Sequence, residues 1–150
     1  MRTLKDVDAR SMSIVVGDPP NLAEIAKVFP IVSTRFQRGI IFCYGDTIYN
    51  PCGRPIPKEL LAHEATHSMQ QADHGLKRWW RDYLASEPMR LEWELEAHQI
   101  EYESYFSQGY GRAFRRRYLA MEAERLSGSL YGRLLKKDEA KRLIKGGCSG

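Results

Sequence analysis

Cysteine is scarce in this sequence, and its arrangement excludes two kinds of site. The 150 residues contain three cysteines, Cys43, Cys52 and Cys148, and no two of them form a C-x-x-C pair. An odd number without such pairs argues against a disulfide framework and against a zinc site built from cysteines. We therefore expect packed free thiols, including at Cys43 and Cys52, which flank a predicted hairpin.

Long apolar runs are also missing. No stretch approaches the roughly 18 successive apolar residues of a membrane-spanning helix. Residues 1–8 lack the apolar centre of a secretory signal. We therefore expect a protein that stays in the cytoplasm in which it is made. The length of 150 residues predicts one domain, 1–150, large enough to bury its own core.

Negative charge becomes scarce in the last part of the chain. From Gly109 onward there are 11 Lys and Arg against 4 Asp and Glu, whereas the preceding residues hold 12 against 15. Residues 109–145 are therefore predicted to be a basic, helical C-terminal extension. Its segment 112–117 combines four arginines with a phenylalanine, which suits phosphate contact and base stacking. A solvated helix face is the favoured interpretation of this segment, and weak contact with nucleic acid is the alternative.

The most specific motif is the H-E-x-x-H sequence of residues 63–67. It lies within a run, 58–71, whose apolar spacing predicts a helix with one buried side. Because four residues make about one helical turn, His63 and His67 leave the same face and can hold one Zn²⁺ at about 2.0–2.1 Å. Glu64 can instead reach a water beside the metal and take its proton as a general base.

A later helix offers the third protein ligand that a catalytic zinc site needs. Residues 94–98 read E-L-E-A-H, and residues 63–71 read H-E-x-x-H-x-x-Q-Q. The pairing of H-E-x-x-H with a later E-x-x-A-[D/N/H] resembles the gluzincin metallopeptidases. The longer run is similar to small peptidase-like domains of bacteria and phages. The similarity covers about residues 40–105.

The resemblance implies a fold, a cofactor and a reaction. The fold would be a minimal zincin-like α+β domain in the cytoplasm, or in the host cytoplasm for a phage protein. The reaction would be zinc-dependent peptide-bond hydrolysis of a protein or peptide substrate. The implied zinc ligands are His63, His67 and Glu94, with Glu64 as the catalytic base.

The chain departs from the family at His98, where gluzincins usually have Asp or Asn. The family's Asp orients a zinc histidine from outside the ligand shell. A histidine can accept a hydrogen bond there only when neutral, or can bind zinc itself. Glu96 and Glu101 are further candidates for the third ligand. Asp73, six residues after the motif, is another, although Gln70 stands where that arrangement needs a glycine.

Several questions stay open at this stage. The oxyanion needs a stabilising group, and Tyr49, Tyr83, Tyr102 and Tyr105 are candidates. The aromatic residues of 76–85 are predicted to be core. Two other classes of function compete with hydrolysis: a nucleic-acid-binding module, and a structural protein of a phage particle or assembly that keeps zinc without turnover.

Glycine and proline punctuate the chain into an α+β order of elements. Two interpretations of the hairpin before the motif helix stay open: its edge holds an extended peptide by strand addition, or it is only core scaffold. Predicted strands cover 13–16, 39–44 and 47–50, the last two as a hairpin. Predicted helices cover 22–29, 58–74, 76–85, 88–107, 112–126 and 130–144. Residues 1–12 are expected to be a loosely held start and residues 146–150 to be disordered.

Overall fold

The computed structural model describes residues 2–128 and 136–146. In these residues the chain is a mixed α+β fold, in which helices surround one small sheet. The helices are α1 Leu4–Asp8, α2 Leu22–Val28, α3 Arg35–Arg38, α4 Lys58–His74, α5 Leu76–Ala85, α6 Glu87–Ser107, α7 Arg112–Ser127 and α8 Lys137–Gly146, with a 3-10 helix at Pro30–Thr34. The strands are β1 Ser13–Val15, β2 Phe42–Tyr44 and β3 Thr47–Tyr49. Within this described part, none of the helices has both the length and the apolar character that crossing a bilayer requires.

The sheet has the order β1-β3-β2, so that β3 is central and β2 lies at an edge. β1 runs parallel to β3, and β2 runs antiparallel to it with Cys43 opposite Ile48. Gly45 makes the tight connection between β2 and β3 with a φ of 64°, which only glycine adopts without strain. Gln71 of α4 holds this hairpin, because its amide accepts from the Gly45 N–H at 2.7 Å and donates to the Cys43 carbonyl at 2.9 Å.

Helices α4 and α6 form the central pair of the molecule. α4 begins directly after Pro57 and ends at Gly75, whose φ is 95°. α6 begins where the Ser86 hydroxyl accepts from the Met89 N–H. Polar side chains are buried on both helices: His63, Glu64, His67, Ser68, Gln70 and Gln71 on α4, and Arg90, Glu94, His98, Glu101 and Ser104 on α6. Because such groups are costly to bury unless paired, their concentration marks the place of a site.

Three apolar clusters support this pair. The first joins α2, β2 and α5 and contains Ile25, Phe29, Val32, Phe42, Trp79, Trp80 and Tyr83. The second joins α6, α7 and α8 and contains Tyr102, Leu119, Ala123, Ala140 and Ile144. The third joins α1, α4 and α6 and contains Val7, Ala62, Ala65 and Ile100. The aromatic residues of α5 therefore belong to the core, as predicted. The C-terminal extension, which forms α7 and α8, packs onto α6.

The long helices agree with the predicted boundaries, whereas the strands are shorter. α5 covers the predicted residues and α6 begins one residue earlier than expected. β2 starts at Phe42 and not at Gly39, because Gly39, with a φ of 65°, ends α3 and residues 39–41 connect the two elements. Cys43 and Cys52 are free thiols, as expected.

The start of the chain differs from the expectation of a loose segment. Thr3 and Asp6 form a capping box at the beginning of α1, and Val7 is buried. Arg2 also forms ion pairs with Asp73 and Glu96, so the segment is fixed to α4 and α6. Of the predicted C-terminal helix at 130–144, residues 130–135 lie outside the described residues, and the described part forms α8 from Lys137. Gly146, the first residue of the predicted disordered end at 146–150, is the last residue of α8, and residues 147–150 lie outside the described residues.

Candidate metal centre

Three predicted site residues meet between α4 and α6. His63 Nε2 and His67 Nε2 lie 3.1 Å apart. Glu94 Oε1 lies 3.0 Å from His67 Nε2, and Glu94 Oε2 lies 3.4 Å from His63 Nε2. Zinc bonds of about 2.0–2.1 Å at tetrahedral angles place neighbouring ligand atoms about 3.3–3.4 Å apart. The triangle therefore has nearly the size of one face of a tetrahedral zinc site.

A second observation also indicates that these donor atoms suit a divalent cation. Glu94 Oε2 is buried and has no hydrogen-bond partner among the described residues. Both imidazoles direct the same nitrogen, Nε2, at this carboxylate and at each other. Two histidine nitrogens and a carboxylate oxygen are a common ligand set of catalytic zinc. Three donor groups, the two imidazoles and the Glu94 carboxylate, thus face one buried point.

The electrostatics of this point favour positive charge. Burial lowers the pKa of His63, but the adjacent Glu101 and Glu94 raise it more, and the resulting pKa lies well above the ordinary value. Burial also lowers the pKa of His67, but the neighbouring Glu94 raises it more, so that the pKa of His67 lies above its ordinary value. Burial raises the pKa of Glu94, but His67 and His63 bring it well below the ordinary value. Without a metal, the carboxylates therefore hold protons on the imidazoles, and a dication would replace those protons.

Each motif histidine is oriented by a second partner on its other nitrogen. His67 Nδ1 donates to Gln70 Oε1 at 2.9 Å. The orientation of that amide is fixed because Gln70 Nε2 donates to the Trp93 carbonyl at 3.0 Å and to Glu96 at 2.8 Å. His63 Nδ1 lies 2.8 Å from Glu101 Oε1. Both contacts select the tautomer that leaves Nε2 for a metal.

The orienting carboxylate is Glu101 and not the residue at the family's Asp position. His98 occupies that position, and its Nδ1 forms a short hydrogen bond with Glu122 of α7 instead. His98 Nε2 lies 3.8 Å from Glu94 Oε2, and ligand atoms of His63, Glu94 and His98 lie within 4.8 Å of one another. Burial and the neighbouring His63 lower the pKa of His98 well below its ordinary value. His98 is therefore a neutral imidazole at the margin of the ligand triangle.

Two other candidates for the third ligand, Glu96 and Asp73, lie away from this triangle. Glu96 is bound by Arg2 and Gln70, both at 2.8 Å. Asp73 is exposed and pairs with Arg2. Because α4 continues through Gln70 to His74 without a turn, Asp73 remains outside the site. Glu101 lies inside the site, but it contacts Nδ1 of His63, the outer nitrogen, which is not the one in the triangle.

Glu64 is buried beside the ligand triangle. Burial is the main cause that raises its pKa, and the neighbouring carboxylates add to it while His63 and His67 oppose it. Glu64 also lines a small cavity of about 70 Å³ together with His63, His67 and Glu94. It lines a second, outer depression beside Arg38 and Arg125 as well. A carboxylate with a raised pKa at such a junction suits proton transfer.

The inner cavity has an apolar and aromatic wall. Its wall is formed by Ile25, Phe29, Val32, Ile40, Ile41, Phe42, Cys43, Trp79, Trp80 and Tyr83. The indole N–H groups of Trp79 and Trp80 are buried and have no hydrogen-bond partner among the described residues. The sequence predicts only a core role for these tryptophans, because no local pattern indicates that they also line a cavity.

The four tyrosine candidates are distributed unevenly. Tyr83 lines the cavity and donates to Glu94 Oε1 at 2.7 Å. Tyr49 packs against the first apolar cluster and Tyr102 belongs to the second. Tyr105 stacks on Tyr118 with ring centroids 3.8 Å apart. Tyr83 is thus the one of the four that contacts a candidate ligand, since its hydroxyl donates to Glu94.

Helix α7 adds a layer that the sequence did not predict. Tyr118 donates to Glu101 Oε2 at 2.5 Å, and Arg125 lies 3.1 Å from the same oxygen. Arg125 also lies 2.8 Å from Glu122 Oε1. Burial raises the pKa of Glu101, but Arg125 and other partners bring it well below the ordinary value, whereas burial and Glu101 raise the pKa of Glu122 well above it. This network keeps Glu101 ionised beside His63.

Comparisons of the chain with protein families, with characterised proteins and with solved structures give no match.

Proposed function

We propose that the protein is a zinc-dependent metallopeptidase with a minimal zincin-like fold, in which His63, His67 and Glu94 hold the metal. The observation that carries the proposal is the buried triangle of two Nε2 atoms and one carboxylate, with sides of 3.1, 3.0 and 3.4 Å. The resemblance of the H-E-x-x-H and E-x-x-A-H segments to gluzincins supports the same assignment. So does the orientation of both imidazoles by Gln70 and Glu101.

The chain's own residues have distinct parts in the proposed hydrolysis. Bound zinc would polarise the scissile carbonyl and make a nearby water more acidic. Glu64 accepts the proton of this water as its oxygen attacks the carbonyl carbon. It then returns the proton to the amine as the C–N bond breaks. Of the tyrosine candidates for stabilising the oxyanion, Tyr83 lines the inner cavity.

The surroundings of the site favour an extended peptide with an apolar side chain as substrate. β2 lies at a sheet edge, and Ile40 and Ile41, which precede it, line both the inner cavity and the outer depression. An extended chain along this edge would pass Glu64, which also lines both. The aromatic wall of the inner cavity would receive an apolar side chain.

The test compares metal content and hydrolysis in two variants. Glu64→Gln preserves the shape of the side chain, so it should keep zinc at one per chain but lose at least about 100-fold in hydrolysis rate, the size of a general-base contribution. His67→Ala should lose zinc. Zinc is measured by mass spectrometry of the purified protein, and hydrolysis by the new amino termini formed in an unfolded casein-like mixture. Undiminished hydrolysis by Glu64→Gln would refute the role of Glu64, and a wild-type protein that binds no zinc would refute the proposal.

A second candidate function is a metal site without turnover. The observation that favours it is His98, a neutral imidazole whose Nε2 lies 3.8 Å from Glu94. A shift of His98 toward the triangle would supply a fourth protein ligand, which is typical of structural zinc sites. Cobalt(II) in place of zinc distinguishes the two states. The visible spectrum of an open site changes when a hydroxamate is added, and the spectrum of a closed site does not.

A further inference from the structure

Helices α7 and α8 form a basic surface that is separate from the metal ligands. Two adjoining depressions of about 480 and 620 Å³ share Arg116, Leu119 and Lys145 in their linings. The cationic residues of these linings are Arg112, Arg115, Arg116, Lys141, Arg142 and Lys145, here called the α7–α8 basic surface. One acidic residue, Asp138, lies among them. The surface therefore concentrates six positive charges against one negative charge.

These cations are available to a ligand. Arg112, Arg116, Arg142 and Lys145 are exposed, and Arg115 and Lys141 are half-buried. Within the described residues, the ion pairs of α7 and α8 use Arg125 and Lys137, and none of them uses the six cations. The Arg115 guanidinium lies 4.2 Å from the centre of the Phe106 ring and is oriented by it. The charges are thus not neutralised by the part of the protein that the structure describes.

The helix separates the arginines from the aromatic residue that the sequence pattern placed among them. Arg112, Arg115 and Arg116 share one face of α7. Phe114 is on the other side of the helix. The centre of its ring lies 6.3 Å from the centre of the Tyr110 ring and 5.5 Å from the Arg117 guanidinium carbon. The aromatic residue therefore does not belong to the basic surface. In its place the surface gains Lys141, Arg142 and Lys145 from α8.

We propose that the α7–α8 basic surface binds the phosphate backbone of a nucleic acid without regard to base sequence. A backbone supplies closely spaced negative charges, and these match six cations without needing apolar contacts. A protein partner would need aromatic or aliphatic anchors at the centre of its interface. The lining offers none, because Leu119 and Tyr102 are buried and Phe106 is covered by Arg115. This inference does not depend on the proposed peptidase activity.

The experiment measures fluorescence anisotropy of a labelled DNA duplex with the full-length protein. If the surface contacts about four phosphates, a plot of the logarithm of the binding constant against the logarithm of the salt concentration should have a slope of about −3.6. The binding constant should then fall about 100-fold between about 50 and 200 mM salt. The variant Arg116→Glu/Arg142→Glu should reduce the slope by about 2 and weaken binding at least about tenfold at the lower salt. Absence of binding by the wild-type protein at the lower salt would overturn the proposal.

A matched control separates the surface from net charge. Lys77→Glu/Arg117→Glu makes the same change of charge at two exposed residues outside the surface, and it should change affinity by less than about threefold, since these side chains contact no phosphate in the proposal. An equal loss in both double variants would show diffuse attraction and overturn the assignment. Poly-glutamate is the competing probe. Displacement of the duplex by poly-glutamate at the same charge concentration would identify an acidic protein as the partner class and also overturn it.

Discussion

At the scale of single residues, the side chains around the H-E-x-x-H motif determine what its histidines can bind. Gln70 and Glu101 occupy the outer nitrogens of His67 and His63, at 2.9 and 2.8 Å. Each partner therefore keeps the proton on Nδ1 and leaves Nε2 for the centre of the site. Such partners commonly change metal affinity by about 10–100-fold although they never touch the metal.

Glu101→Gln tests this role at one position. Glutamine keeps an oxygen that can accept from His63 Nδ1, but it removes the charge that favours a cation. We expect zinc affinity to fall about 10–100-fold, measured by competition with a chelating dye. Glu103→Gln is the control, because Glu103 is exposed on the same helix. Equal affinity of the two variants would show that Glu101 has no part in metal binding.

Residue-scale prediction from the sequence succeeded where the information is local. Helical spacing alone placed His63 and His67 on one face. Glu101 follows Glu94 by seven residues, so both side chains share one face of α6. The sequence predicts Glu101 as a possible metal ligand, but it does not predict its contact with His63 Nδ1. The contacts of Glu122 with His98 and of Arg125 with Glu101 depend on how α7 packs against α6. No spacing within one helix reveals such contacts.

At the scale of elements, the short sheet shows how pairing decides boundaries. Glycine and proline predicted the ends of the long helices, because their backbone preferences act locally. The predicted strand at 39–44 contracts to Phe42–Tyr44, since only these residues pair with β3. Its first three residues connect α3 to the sheet, and β-branched composition alone could not distinguish a connection from a strand.

The parallel pairing of β1 with β3 gives a matched test of burial in the sheet. Ile48 of β3 is fully buried, and its pairing partner, Ile14 of β1, is 53% exposed. Ile48→Ala should lower the free energy of unfolding by about 2–4 kcal/mol, because it leaves a cavity in the core. Ile14→Ala should cost less than about 1 kcal/mol. Urea denaturation measures both, and similar losses would contradict the described position of the sheet.

At the scale of the whole molecule, the centre of the fold contains more charge than an apolar core can tolerate alone. His63, His67, Glu94, Glu101 and Glu122 are all buried between α4, α6 and α7. Without a metal, protons hold this cluster together, because the carboxylates raise the pKa values of His63 and His67. The stability of the fold is therefore linked to pH and, through the proposed zinc site, to metal.

The metal-free protein should lose stability as pH rises. A group whose folded pKa is raised contributes fully below its unfolded pKa, about 6.5 for histidine, and loses that contribution as pH passes the folded pKa. His63 and His67 follow this rule, and carboxylates with lowered pKa values are already ionised in this range. The melting temperature after chelation should therefore fall as the pH is raised above the ordinary histidine pKa of about 6.5.

Zinc should remove most of this decline, because the bound imidazoles are neutral at every pH in the range. Free zinc at about 1,000 times its dissociation constant should also raise the free energy of unfolding by about 4 kcal/mol. Differential scanning calorimetry with zinc and with chelator measures both effects. Equal melting temperatures in the two conditions would contradict a metal site in the folded protein.

The contacts of Tyr118, Glu122 and Arg125 bear on where the chain can be divided. The glycines at 109 and 111 look like a natural place to cut a catalytic unit from a dispensable appendage. A fragment ending there would expose Glu101 and His98 to solvent and would deprive both of the partners that α7 supplies. Engineers who seek a minimal fragment with the proposed zinc site, or who wish to graft this centre onto another scaffold, should keep α7 together with the two helices that carry the proposed ligands.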